Sequence, residues 1–155
     1  MTYDELINEA VILGLTVREK PFYAYNGRIK GCKIAIRKDI PTLREKACVL
    51  AEEIGHYLIN SGDILDQGKT ENRKQELKAR LWAYDKQIGL LGIISAYNTG
   101  CRNLFEMAEH LDVTEDFLTE ALESYRRKYG EYTSVDNYIV YFEPSFGVLE
   151  LYQQA

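Results

Sequence analysis

The sequence predicts an α+β fold, and three observations carry that expectation. Short extended pieces occur near the beginning and again at the end, a long helical stretch separates them, and 46% of the 155 residues are hydrophobic, enough to bury a core. The first helix opens with the capping box Thr2-x-x-Glu5 and shows Leu6, Ile7, Ala10 and Val11 on one face before Gly14. Tyr23-Ala24-Tyr25 and Arg28-Ile29-Lys30 flank Asn26-Gly27, the signature of a two-residue hairpin turn. Lys33 to Arg37 alternates polar and apolar and reads as a further strand.

A second capping box, Thr42-x-x-Glu45, starts a helix expected to reach about Ile59, with Leu43, Ala47, Leu50, Ile54 and Leu58 at helical spacing. Ser61-Gly62-Asp63 should break it, and a polar loop should follow through Asn72. The next helix is expected over Arg73 to Ile88. Its bulky stripe is Leu77, Leu81, Tyr84 and Ile88; beside it run Glu76, Ala79 and Ala83. Small side chains let another helix approach closely, and Gly55 offers a matching notch, which would bring Glu76 to Glu52 and His56. Leu104 to Leu111, Asp112-Val113 and Thr114 to Lys128 read as helix, tight turn, helix, with Thr114 as N-cap and Arg126-Arg127-Lys128 at the C-terminal end. Tyr138 to Phe142 and Val148 to Tyr152 read as strands around the turn Pro144 to Gly147. The expected organisation is a core over residues 1–100, with the helix-turn-helix-like segment and C-terminal strands of 101–155 packed on it.

Bulk charge narrows the partners. Nineteen basic and 24 acidic side chains give a formal net charge of -5, which disfavours nonspecific binding to nucleic acid or anionic membranes but leaves room for a local basic patch. No apolar run has membrane-spanning length, and the acidic N-terminus lacks the features of a secretory signal. Three widely spaced cysteines, Cys32, Cys48 and Cys101, with no C-x-x-C, fit reduced thiols in a cytoplasm.

The most informative motif is Glu52-Glu53-Ile54-Gly55-His56. It has the spacing of the metalloprotease signature H-E-x-x-H with glutamate in the first position. Residues i and i+4 of a helix project from one face, so both ends can reach one ion, and the middle carboxylate stands where a general base for a metal-bound water would stand. The same residues also suit a solvated helix face with local charge pairing.

Together with Glu76-x-x-Ala79-x-x-Trp82-Ala83, this motif resembles the ImmA/IrrE family of metallo-endopeptidases, in particular its phage and mobile-element members. The likeness covers roughly residues 41–130. It implies a small zincin-like metallopeptidase core with a short antiparallel sheet, a helical pair carrying the metal motif, and the helix-turn-helix-like segment. It further implies that His56 and Glu76 are metal ligands, that Glu52 occupies the first histidine's place as the third, and that Glu53 is the general base. The departure at Glu52 makes the donor set harder: zinc stands first, with manganese or iron(II) as alternatives. The implied activity is cleavage of a specific partner protein, a phage-type transcriptional repressor, leading to prophage induction. The alternative is a catalytically weakened member that inactivates the repressor by binding alone.

Other motifs carry less. Glu53-x-x-His56 is half of a di-iron carboxylate site, but the only other histidine, His110, has Met107 three residues before it. Glu106 and His110 form a helical pair better suited to a surface helix. A DNA-reading role for Leu104 to Lys128 is opposed by Glu115, Asp116, Glu120 and Glu123, which repel phosphate, so no direct nucleic-acid contact is expected.

Overall fold

The computed structural model describes residues 1–60 and 69–152. It is an α+β fold that divides into two compact units, Met1–Gln87 and Ile88–Ala155. The division falls after Gln87 rather than at residue 100.

In the first unit α1 (Tyr3–Ile12) begins at Thr2, whose hydroxyl accepts from the Glu5 N–H while the Glu5 carboxylate accepts from the Thr2 N–H. Its buried face is Tyr3, Leu6 and Ala10. The sheet contains β1 (Thr16–Lys20), β2 (Gly27–Lys30) and β3 (Lys33–Arg37) in the order β1-β3-β2. β2 and β3 are antiparallel, whereas β1 runs parallel to β3. Two expectations are corrected here. Tyr23 to Tyr25 is not a strand, and the hairpin turn is Gly31-Cys32, where Gly31 takes the left-handed φ of 60° that favours glycine.

Ile34 and Ile36 turn to the core, as do Ala47, Leu50, Ala51 and Ile54 of α2 (Leu43–Asn60). Leu43, expected on that face, is exposed at the helix start. The Thr42 hydroxyl accepts from the Glu45 N–H at 3.1 Å, half of the expected box. The break at Ser61-Gly62-Asp63 lies outside the described residues. The helix after it, α3 (Lys69–Gln87), begins earlier than expected, so residues 69–72 are helical rather than loop. Ala79, Ala83 and Tyr84 are fully buried, while Leu77 is exposed. Two polar links tie α3 to the N-terminus: Lys86 Nζ donates to Glu9 at 2.6 Å, and Gln87 Nε2 to the Met1 carbonyl at 2.9 Å.

The second unit opens with α4 (Gly89–Thr99), a helix the sequence reading did not anticipate. The expected helix-turn-helix follows as α5 (Leu104–Leu111) and α6 (Glu115–Tyr129), with Asn103 and Thr114 capping them through side-chain oxygens. Asp112 makes the turn in the left-handed region at φ 55°. A second sheet follows: β4 (Tyr132–Val135), β5 (Tyr138–Tyr141) and β6 (Gly147–Glu150), antiparallel in that order. β4 is additional to the expected pair, joined to β5 through Asp136-Asn137. Val113, Leu118, Ala121, Tyr125 and Val140 are fully buried, and Tyr125, Tyr129 and Phe142 group with ring centroids 6.0 to 6.3 Å apart. No described helix is long and apolar enough to cross a membrane.

Candidate active site

One glycine sets the geometry between α2 and α3. A Cβ built on Gly55 would collide with the carbonyl oxygen of Ala79, so the two backbones touch. Gly55 and Ala79 are both buried, and the small-residue stripe expected from sequence is the surface on which the helices meet.

This seam brings polar groups together at its edge. His56 Nε2 lies 3.3 Å from Glu76 Oε2, with the side chains 19% and 41% exposed. The other Glu76 oxygen accepts from Arg80 Nε at 2.9 Å, one helical turn onward. Glu53 is next to this pair and half-buried. It stands under the first residue of β2: a Cβ on Gly27 would fall 2.7 Å from Val49 Cγ1 and 3.1 Å from Glu53 Cγ. Gly27 is therefore needed for close approach to α2, not for a hairpin turn.

Electrostatics single out Glu53. Burial, then the charge of Glu52, then that of Glu76 raise its pKa from 4.5 to about 7. Burial opposes the Arg80 charge, but Glu76 and Glu52 outweigh it and hold the guanidinium pKa above its usual value. The cluster is thus carboxylate-rich, with one guanidinium as its partial counter-charge.

Of the four residues singled out in the sequence, His56 and Glu76 meet directly, and Glu53 lies within their field. Glu52 acts on Glu53 and Arg80 through its charge. Among the described residues, no three His, Cys, Asp or Glu side chains are gathered as a ready coordination set. The residue types at this edge, one imidazole nitrogen and several carboxylates, are ones that divalent cations use, and one of them, Glu53, is kept from charging first by burial and then by its neighbours. Sequence reasoning missed Arg80, although its i, i+4 spacing from Glu76 was visible, and missed Gly27 as the roof over Glu53.

The remaining candidates resolve locally. His110 Nε2 hydrogen-bonds Ser95 Oγ at 3.0 Å, and Glu106 is held by the Arg102 N–H at 2.6 Å, so each has its own partner. All three cysteines are free thiols. On α6, Glu115, Asp116 and Glu120 are exposed, and Glu123 pairs with Arg126. Comparison with protein-family models, curated proteins and solved structures gave no match.

Proposed function

We propose that this protein is a cytoplasmic metal-dependent endopeptidase with a zincin-like core, acting on a specific partner protein of the phage-repressor type. The observation that carries the reading is the approach of His56 and Glu76 across the α2–α3 seam beside the half-buried Glu53. The repressor as substrate rests on the resemblance of the Glu52 to His56 motif and Glu76 to the ImmA/IrrE family.

His56 and Glu76, joined by Glu52, would hold a divalent ion, zinc first, whose chemistry is to acidify a water and polarise a carbonyl. Glu53 supplies the proton handling: its carboxylate accepts a proton and later passes it to the leaving amine. A pKa of about 7 suits that exchange, because the group is neither a poor base nor a poor acid near neutrality. β2 is an edge strand of its sheet and begins against Glu53, so an extended peptide pairing with it would lie beside the general base.

The test combines metal analysis with cleavage of the partner by the intact chain. A stoichiometric ion lost in Glu76→Ala and His56→Ala, together with cleavage lost in Glu53→Gln, supports the reading. Cleavage that survives Glu53→Gln overturns it. A second reading is favoured by the Arg80–Glu76 pair, in which a guanidinium already holds one oxygen of a proposed ligand. On that reading the protein inactivates its partner by binding, and the partner stays intact while repression is lost.

A further inference from the structure

The first sheet has two unlike faces. Register places Glu19, Ile36 and Gly27 side by side on the face toward α2, where Lys46 pairs with Glu19. The opposite face carries Arg18, Ala35 and Arg28 in one row and Thr16, Lys33 and Lys30 in the next, with Lys20 beyond. Five of these are cations, and all five are exposed. Among the described residues, Arg18, Lys20, Lys30 and Lys33 have no carboxylate partner. Elsewhere in this chain of net charge -5, Arg80, Lys86 and Arg126 are ion-paired.

These side chains line a concave site of about 530 Å³ that Phe22 and Tyr25 close on one side. The two rings lie 4.7 Å apart. Arg28 fixes the second of them, donating to the Tyr25 hydroxyl at 3.1 Å with its guanidinium 5.5 Å from the ring centroid. No acidic residue lines the cavity among the described residues.

We infer that this outer face of the sheet is a binding site for a nucleoside polyphosphate. Strands about 4.8 Å apart, with same-face residues roughly 6.7 Å apart along each, put neighbouring cations within reach of one phosphate chain. Like charges so close repel one another, and a multivalent anion relieves that repulsion. Charge alone would accept any polyanion. The aromatic pair Phe22 and Tyr25 at the cavity wall adds ring surface against which a base would stack, and the volume falls in the range of about 300 to 1,000 Å³ usual for small-ligand pockets rather than for a long tract. The site lies on the sheet face opposite Glu53 and owes nothing to the proposed hydrolysis.

The experiment titrates the full-length chain with ATP by calorimetry and by thermal shift, with inorganic tripolyphosphate, an oligothymidine and an oligoglutamate peptide as parallel probes. ATP is expected to bind and to raise the melting temperature. The double variant Arg28→Gln/Lys30→Gln should weaken ATP binding at least ~10-fold, the loss of about one charge-assisted hydrogen bond, and Lys33→Gln should weaken it less. Tyr25→Leu should weaken ATP while leaving tripolyphosphate unchanged. All these positions are exposed, so folding is preserved. Equal affinity for tripolyphosphate and ATP overturns the inference, as does ATP binding unchanged in the double variant. Binding of the oligothymidine or the peptide without ATP also overturns it, in favour of that ligand.

Discussion

The two units differ in how far their charge is matched. In the second, cations and carboxylates are matched one to another: Arg126 bridges Glu123 and Glu143, and Arg102 holds Glu106. The hydrogen bond from Arg126 pulls the Glu123 pKa down, and both of its carboxylates push the Arg126 pKa up. The first unit has matched pairs too, such as Lys46 with Glu19 and Lys86 with Glu9, but there burial, and then the charges of Glu52 and Glu76, keep Glu53 from ionising readily, while five cations crowd one side of a sheet. A fold gains nothing from such imbalance by itself. Matched charge supports a fold, and a cluster of unmatched charge is where a functional site is first sought.

Substitution can break or sharpen that contrast. The largest effect is expected from Gly55→Ala. Its methyl group meets backbone rather than a pliable side chain, so α2 and α3 must separate, costing about 3 kcal/mol; chemical denaturation measures it, and a loss under about 1 kcal/mol would refute backbone contact at the seam. Next comes Glu53→Gln in the metal-free chain. A carboxyl whose folded pKa lies above its unfolded value destabilises the fold as pH rises through the window from 4.5 to about 7, and the penalty is complete above it. The variant should therefore be more stable by up to about 3 kcal/mol above that window, with the gain vanishing well below pH 4.5, where both states are protonated. Denaturation curves across that range test it, and a wild-type stability flat over the window would contradict the pKa shift. Thr114→Ala removes the hydroxyl that accepts from the Phe117 N–H and should cost about 1 kcal/mol with no pH dependence. The smallest effect is expected from Gly92→Ala in α4. There a new Cβ would crowd the tip of Leu111 at 3.1 Å and touch Ile88 at an ordinary 3.8 Å, and better helix propensity offsets the crowding to within about 1 kcal/mol.

Caps and stripes were legible in the sequence. Thr2, Thr42 and Thr114 start helices as their side chains require, and Gly55 meets Ala79 as the small-residue stripe implied. Two of the four edge strands, β1 and β4, were not. In β1 only Val17 is even half-buried, because the outer face is given to cations, so no alternation announces it. β4 is similarly half-exposed along its length. The glycines of α4 argued against a helix that tertiary packing of Ile93 and Ala96 stabilises. Asn26-Gly27 imitates a turn signal, yet its glycine is there to clear Val49 and Glu53. At the site, residue types and spacing were readable on α2 and α3, but the guanidinium share of the charge balance was not, since Arg80 reads as an ordinary surface helix residue.

The glycine notch at residue 55 separates two design variables that are coupled in most pockets. Because main chain rests on main chain there, the distance between the helices does not depend on which side chains occupy the rim. Position 52 can then be exchanged, glutamate for histidine, with the scaffold standing still, so on the proposed reading the preference for one cation over another would rest on a single codon.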